Sequence, residues 1–162
     1  MRFKDKVVWI TGASSGIGEA LAYAFSKEGA KIIISSRKEK DLNLVKAKCS
    51  NSSNIFVLPL DLEVFDSFAE KTKQVIEQFG KIDILVNNGG IGQRATALET
   101  KLEIDQKIMN VNYFGTIALT KSVLPHLLKQ KSGSIVVISS LTGKIGTPFR
   151  SAYCASKHAL HG

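Results

Sequence analysis

The sequence of 162 residues contains little cysteine and few histidines. Its two cysteines, Cys49 and Cys154, are far apart and form no C-x-x-C pair. This spacing excludes a disulfide framework and favours a reducing compartment. Of the three histidines only His158 and His161 lie near one another, and a surface role is the simpler interpretation, so we expect no metal site.

A membrane-spanning stretch is also missing, because no apolar run approaches the roughly 18 residues that a span needs. Basic residues precede the apolar stretch 7–10, but four apolar residues are too few for the core of a signal peptide. A glycine turn follows that stretch at once, which indicates a strand. We therefore predict a cytoplasmic protein with no membrane partner.

Positive charge is abundant, but the sequence has no long run of it. The 22 Lys and Arg residues outnumber the 14 Asp and Glu residues and give a net charge of +8. The basic residues are scattered, and the stretch 101–107 interleaves them with acids, as on a solvated helix face. This distribution predicts no nucleic-acid partner. One basic cluster, Arg37-Lys38 with Lys40, stands apart.

Short β-branched apolar runs alternate with amphipathic stretches along the chain. The predicted strands are 7–10, 31–35, 54–60, 82–88 and 134–140, and the predicted helices are 17–28, 38–48, 63–79, 100–130 and from about 150 onward. Continuous apolar strands indicate a sheet covered on both faces, hence parallel strands with crossover helices. Five such units predict an α/β, doubly wound, Rossmann-type sheet with strand order 3-2-1-4-5. The stretch 1–162 would then be a single dinucleotide-binding domain.

The second half of the chain contains two irregularities. Pro125 lies inside the predicted helix 100–130, where its missing N–H is expected to kink the helix. The chain ends just after the last predicted helix has begun, whereas a doubly wound dinucleotide fold normally has at least one further strand. We therefore expect the chain to be truncated before the last strands of the sheet.

The first predicted strand runs directly into a glycine-rich turn, TGASSGIG at 11–18. Its glycines permit a tight turn, and the following helix N-terminus offers free N–H groups to a pyrophosphate. A plain strand–helix connection is the alternative, whereas a P-loop would need a Gly-Lys-Ser/Thr ending. The position after the first strand favours a dinucleotide. The predicted cofactor contacts in this turn are Gly12, Ser14, Ser15, Gly16, Ile17 and Gly18.

The end of the second predicted strand indicates which dinucleotide is bound. An acid about 20 residues after the turn would hold the ribose hydroxyls of NAD. The chain has the stretch 35–38, Ser-Ser-Arg-Lys, in this place, and an arginine offers bidentate donors to a 2′-phosphate. NADP(H) is therefore preferred over NAD(H), although Ser15 stands where a basic residue would strengthen this preference. The alternative is that Arg37 only begins an exposed helix.

Asp61 and Leu62 end the third predicted strand. The Asp61 carboxylate would accept a hydrogen bond from the adenine amino group, or it would be the N-cap of the following helix. The two interpretations are compatible, and the sequence leaves both open.

Tyr153 and Lys157 are four residues apart on a predicted helix, so both side chains lie on one face. Reduction of a carbonyl by hydride transfer needs a proton donor, and the reverse reaction needs a base. A free tyrosine has a pKa of about 10, so it needs a nearby positive charge to serve as a base at neutral pH. An ammonium about 4 Å away supplies roughly the 4 kcal/mol required at an effective dielectric constant of about 20.

Ser140 stands thirteen residues before Tyr153, at the end of the fifth predicted strand. Ligands of open α/β sheets bind outside the carboxyl ends of the strands, so its hydroxyl would orient the substrate oxygen. Ser139 is the neighbouring candidate, but alternation along the strand is expected to point it the other way.

The whole chain resembles the short-chain dehydrogenase/reductase family, because five motifs occur in the order seen there. They are TGASSGIG at 11–18, NNGG at 87–90, NVN at 110–112, ISS at 138–140 and YCASK at 153–157. The stretches NYFGTIALTKSVLPHL and SAYCASKHAL look most similar to the member-7-type dehydrogenase/reductases.

The resemblance implies a role for each residue of the predicted catalytic set. Tyr153 would be the acid and base, and Lys157 would stabilise its ionised form and bind the nicotinamide ribose. Ser140 would hold the substrate oxygen. Asn112 would anchor a water that passes protons to Lys157.

The resemblance also implies contacts and segments around this set. The backbone at Asn88, Gly89 and Gly90 would line the cofactor, although the family usually has alanine where this chain has Gly89. Family members continue through two further strands, a nicotinamide-contacting loop and a mobile substrate lid. The helix that carries the tyrosine usually builds an interface, so a homo-oligomer is expected for the full-length form.

These observations predict an NADP(H)-dependent oxidoreductase that interconverts a small-molecule carbonyl and a secondary alcohol. The alternative is a dinucleotide-binding module, or an inactive fragment, without turnover.

Overall fold

The computed structural model describes every residue from Met1 to Gly162. Five parallel strands form one sheet in the order β3-β2-β1-β4-β5, which confirms the predicted topology. The strands are β1 (Val7–Thr11), β2 (Lys31–Ser35), β3 (Ile55–Val57), β4 (Ile84–Asn87) and β5 (Ser134–Val137). The helices are α1 (Gly16–Lys27), α2 (Glu39–Lys48), α3 (Phe68–Phe79), α4 (Leu102–Met109), α5 (Gly115–Gln130) and α6 (Ser151–His161).

The core consists of two apolar layers, one on each face of the sheet. On β1, Trp9 belongs to the layer formed with α3 and α5, and Ile10 belongs to the layer formed with α1 and α2. Successive residues of a strand point to opposite faces of the sheet. Since helices cover both faces, both side chains are fully buried. This explains why the apolar runs of the sequence are continuous rather than alternating. None of the helices combines the length and the apolar composition that crossing a bilayer requires.

Three strands are shorter than predicted, because the chain leaves the ladder at the carboxyl edge of the sheet. Regular pairing ends at Val57, Asn87 and Val137, whereas the sequence predicted strands to 60, 88 and 140. The residues that follow in these predicted strands belong to loops. These loops carry the side chains of the candidate site.

The predicted helix 100–130 is interrupted, but not at the expected place. A π-helical turn, Asn110–Phe114, separates α4 from α5, and α5 continues through Pro125 to Gln130. The helix is therefore not interrupted at Pro125, and the expected kink there stays a prediction. π turns occur frequently at functional sites, and this one carries Asn112.

Asp83 holds the amino end of the sheet together. Its carboxylate accepts a hydrogen bond of 2.8 Å from Val7 N and lies 2.9 Å from Lys81 Nζ and 3.4 Å from Lys6 Nζ. Burial opposes ionisation of this carboxyl, but these three donors outweigh burial and lower the pKa of Asp83 below its usual value. The ionised carboxylate therefore stabilises the fold at neutral pH, and that contribution is lost as the pH falls through the lowered pKa.

We expect Asp83→Asn to lower the free energy of unfolding by about 1–2 kcal/mol at pH 7, because an amide keeps the shape but not the charge. Urea denaturation checks this. The difference from the wild type is expected to be constant above about pH 5 and to shrink below about pH 4. A difference that stays the same at acid pH would contradict the role of the charge.

Candidate active site

The glycine turn between β1 and α1 lies in contact with the loop that follows β4. Gly12 has a φ of +64°, a left-handed conformation, and a Cβ added to it would lie 2.7 Å from the Cα of Gly89. A Cβ on Gly18 would lie 2.6 Å from Nδ2 of Asn88. Only glycine permits this approach of the two loops at both positions.

Thr11 and Asn88 fasten the two loops to each other. The hydroxyl of Thr11 accepts hydrogen bonds of 3.0 Å from Asn88 N and Gly89 N. The side-chain amide of Asn88 donates to the carbonyl oxygens of Thr11 (3.0 Å) and Gly12 (3.2 Å). The sequence analysis did not assign this role to Thr11, although a hydroxyl at the carboxyl end of the first strand was a signal for it.

A cavity of about 480 Å³ opens at this edge of the sheet, and ten of the predicted cofactor contacts line it. They are Gly12, Ser14, Ser15, Ile17, Arg37, Asp61, Leu62, Asn88, Gly89 and Gly90. Gly16 and Gly18 do not line it but shape the turn. The lining residues that the sequence analysis did not assign are Thr11, Ser35, Ser36, Lys38, Asp41, Leu60, Ile91 and Val111.

The end of β2 places polar groups in the wall of this cavity. Arg37 and Lys38 are exposed residues of the wall, and Ser36 Oγ is buried without a hydrogen-bond partner. An unpartnered hydroxyl beside two cations fits a ligand that carries phosphate or ribose oxygens. The structure also places one acid, Asp41 of α2, in the same wall. Because α2 begins at Glu39, Arg37 precedes the helix and does not begin it.

Asp61 is not the N-cap of the next helix. Its Oδ1 accepts a hydrogen bond of 3.0 Å from Glu63 N, and α3 begins only at Phe68 after the 3-10 turn Phe65–Ser67. This alternative was wrong because a separate short turn precedes the helix. The carboxylate lines the cavity, where the predicted adenine contact remains a proposal.

A second cavity of about 330 Å³ adjoins the first, and Tyr153 and Lys157 line it. The two cavities share Ile17, Asn88, Gly90 and Ile91 in their walls. Together they form one continuous groove across the carboxyl edge of the sheet. The predicted acid–base pair therefore lies beside the predicted cofactor turn.

Lys157 is held in this groove by the end of β5. Its Nζ donates a hydrogen bond of 2.8 Å to the carbonyl oxygen of Ile138 and lies 5.7 Å from the centroid of the Tyr153 ring. The side chain belongs to a residue that is only 5% exposed, and burial lowers the pKa of Lys157 below its usual value. The carbonyl oxygen of Ile138 therefore holds the Lys157 ammonium close to the Tyr153 ring.

The family model described as short chain dehydrogenase matches residues 6–162. The chain belongs to this family. "Dehydrogenase/reductase SDR family member 7" of Mus musculus is 50% identical, over 98% of this chain and 48% of the relative. A "Dehydrogenase/reductase SDR family protein 7-like" of Anopheles gambiae is 48% identical, over 96% of this chain and 51% of the relative. The chain thus spans about half the length of these curated relatives.

The crystal structure of levodione reductase has the same fold, with a TM-score of 0.93 at 29% identity. The match covers 98% of this chain and 63% of that chain. The family resemblance and the strand order drawn from the sequence are therefore both confirmed.

Ser140 keeps its hydroxyl proton available. Its Oγ accepts hydrogen bonds from Thr142 N (3.2 Å) and from Thr142 Oγ1 (3.0 Å), which occupies the oxygen as an acceptor. The O–H can then serve as a donor, which is what holding a substrate oxygen requires. Ser139, not Ser140, is among the residues that line the second cavity, and its hydroxyl lies 3.0 Å from His161 Nε2. The contact of Ser140 with substrate therefore stays a prediction.

Asn112 joins three elements of the chain through its side-chain amide. The amide donates to the carbonyl oxygen of Ile91 (2.8 Å) and to Ser156 Oγ (3.0 Å), and it accepts from Ile91 N (2.8 Å). Both amide protons are therefore used within the protein. The amide ties the loop after β4 to α6, and a water relay from Asn112 to Lys157 remains a proposal.

Gln93 positions the first turn of the helix that carries the acid–base pair. Its Oε1 accepts a hydrogen bond of 3.3 Å from Tyr153 N, and its Nε2 donates one of 3.2 Å to Ser151 Oγ. The sequence analysis did not assign this role, because it needs a contact between residues 60 positions apart.

Proposed function

We propose that this chain carries the active site of an NADP(H)-dependent oxidoreductase that interconverts a carbonyl and a secondary alcohol. The observation that carries the proposal is the placement of Tyr153 and Lys157 in a cavity continuous with the glycine-turn cavity. Proton transfer and dinucleotide binding then occur in one groove. The names of the related proteins, dehydrogenase/reductase and levodione reductase, support this reaction type.

In the proposed reaction the bound nicotinamide supplies or receives the hydride. The Tyr153 hydroxyl donates a proton to the carbonyl oxygen during reduction and removes it during oxidation. The Lys157 ammonium, 5.7 Å from the ring centroid, favours the ionised phenol and reaches toward the nicotinamide ribose. The Ser140 O–H orients the substrate oxygen, and Asn112 anchors the water that returns protons to Lys157.

The cofactor proposed to occupy the groove is held by the set predicted from the sequence. The N–H groups of the turn 12–18 bind the pyrophosphate, and the backbone at 88–90 lines the nicotinamide half. Asp61 and Leu62 lie at the adenine. Arg37 and Lys38 would bind the 2′-phosphate, with Asp41 in the same lining, whereas Asp61, the other acid of the cavity, is assigned to the adenine. The two cations that follow β2 favour NADP(H) over NAD(H).

Arg37→Asp is expected to raise the Kd for NADPH at least about tenfold, because it replaces a bidentate phosphate donor by a repelling charge. The Kd for NADH is expected to change less than about threefold. Fluorescence titration of both nucleotides at one ionic strength checks this. Lys40→Asp, which changes charge equally outside the cavity wall, is the matched control. Equal losses of both nucleotides would contradict the 2′-phosphate contact.

The reaction itself is tested by following NADPH oxidation with a panel of aldehydes and ketones. The proposal expects turnover with at least one of them and weaker turnover with NADH. Protection from thermal unfolding by NADPH, with no oxidation by any carbonyl, would instead indicate the non-catalytic dinucleotide-binding module.

A homo-oligomer and a cytoplasmic location belong to the same proposal. An apolar groove between α4 and α6, which includes Leu102, Met109 and Phe114, supports the first of these. Leu102 and Phe114 are 66% and 48% exposed, so a second copy would cover apolar surface there.

A further inference from the structure

The proposed reaction assigns no role to Arg150, which is a charged residue of the cavity that contains Tyr153 and Lys157. It lines the cavity of about 330 Å³ together with Tyr153 and Lys157. Its guanidinium carbon lies 5.6 Å from the centroid of the Tyr153 ring. The guanidinium therefore lies as close to the phenol ring as the ammonium of Lys157 does.

The guanidinium of Arg150 has no acidic partner. None of the four ion pairs of the structure includes it, and none of the ten residues that line the cavity is Asp or Glu. Arg150 is half-buried, so its side chain has lost part of its hydration without gaining a carboxylate. A guanidinium with free donors in a groove open to ligands favours a planar oxyanion, which it binds in bidentate fashion.

The backbone of Arg150 is fixed at the start of α6. Its carbonyl oxygen accepts a hydrogen bond of 2.8 Å from Cys154 N, and the helix begins at the next residue. Arg150 and Tyr153 are thus held three positions apart on one rigid element. A side chain presented from a helix terminus places its charge more reproducibly than one on a free loop.

Gly92 keeps the space between the two side chains open. A Cβ added to Gly92 would lie 3.1 Å from Cδ2 of Tyr153 and 3.6 Å from Nη1 of Arg150. The absence of a side chain here leaves both the phenol and the guanidinium accessible from the cavity. A substrate group can therefore reach Arg150 while another group reaches Tyr153.

We propose that Arg150 binds a carboxylate of the substrate, so that the carbonyl compound reduced in this site is an oxo acid rather than a neutral ketone. The inference rests on the proposed function, because it assigns a substrate class to the same cavity. The carboxylate accepts from the guanidinium, and the reacting carbonyl oxygen, a few bonds away, accepts from Tyr153. Lys157 adds a second positive charge to the same wall and no acid opposes it.

The test compares phenylglyoxylate with its methyl ester, which has the same carbonyl but no charge. In the wild type the KM for the acid is expected to be at least about tenfold below that for the ester. Arg150→Met, which keeps an unbranched side chain but removes the charge, is expected to raise the KM for the acid at least about tenfold. The KM for the ester is expected to change less than about twofold.

Arg94→Met is the matched control, because Arg94 is exposed and does not line the cavity. It is expected to leave both KM values unchanged. If Arg150→Met does not fold, Arg150→Lys tests the same point, with an expected rise in the KM for the acid only. An equal loss with acid and ester would overturn the inference, because it would mean that Arg150 only braces the Tyr153 ring.

Calorimetric titration of phenylglyoxylate into the protein saturated with NADP⁺ separates this inference from the proposed function. Absence of turnover with both compounds and with the whole panel of aldehydes and ketones would contradict the proposed function but not carboxylate binding. Binding that the wild type shows and Arg150→Met loses would support the inference in that case. Binding that is equal in the two proteins, or absent from both, would overturn it.

Discussion

Replacing Tyr153 by phenylalanine is expected to reduce carbonyl reduction at saturating NADPH by about a thousandfold or more. The substitution removes the phenol O–H and keeps the ring, whose centroid lies 5.7 Å from Lys157 Nζ in the same cavity. General acid–base groups typically contribute about 10²–10⁴ to a rate, and an apolar ring offers no substitute proton donor. The rate of a single turnover, measured by the loss of NADPH absorbance, checks this prediction.

The Kd for NADPH in Tyr153→Phe is expected to stay within about twofold of the wild-type value. Tyr23→Phe is the matched control, because it deletes a phenol hydroxyl that bonds Glu19 on α1, outside both cavities. It is expected to leave the rate unchanged. A Tyr153→Phe protein that keeps more than about a tenth of the wild-type rate would remove this residue from the mechanism.

Gly12→Ala is expected to raise the Kd for NADPH by about a hundredfold and to lower the free energy of unfolding by about 2–4 kcal/mol. A Cβ at this position would lie 2.7 Å from Gly89 Cα, so the glycine turn and the loop after β4 must separate. Overpacking costs about 1–3 kcal/mol, and the left-handed conformation adds about 1 kcal/mol. Fluorescence titration and urea denaturation measure the two effects.

Gly80→Ala separates the cost of the left-handed conformation from the cost of overpacking. Gly80 has a φ of +76°, and no atom lies within 4 Å of its added Cβ. This control is expected to lose about 1 kcal/mol of stability and to bind NADPH as the wild type does. If Gly12→Ala bound NADPH equally well, the close approach of the two loops would not be needed for the cofactor.

The sheet could be predicted from the sequence because it depends on local patterns. Continuous apolar runs such as 31–35 specify strands buried on both faces, and alternation with helices then restricts the strand order. The glycine turn and the spacing of Tyr153 and Lys157 are also local. Their meeting in one groove follows from the rule that ligands bind at the carboxyl ends of parallel strands.

Other features depend on contacts between distant residues, which no local pattern encodes. The hydroxyl of Thr11 accepts from a backbone N–H 77 positions away, and Gln93 contacts the start of α6 across 60 positions. The π turn carries Asn112, whose side-chain amide bonds Ile91 and Ser156 at distant positions of the chain. Pro125 gave a stronger local signal for an irregular helix, yet α5 runs through it.

The central claim is that Tyr153 and Lys157 assist hydride transfer to a carbonyl in a groove that holds NADP(H). Incubation of this chain with NADPH deuterated at C4 of the nicotinamide, followed by mass spectrometry of the alcohol, tests it most directly. The alcohol is expected to carry the deuterium on its carbinol carbon, and Tyr153→Phe is expected to form almost none of it. Bound NADPH that never delivers deuterium to any carbonyl, or labelled alcohol formed equally by Tyr153→Phe, would contradict it.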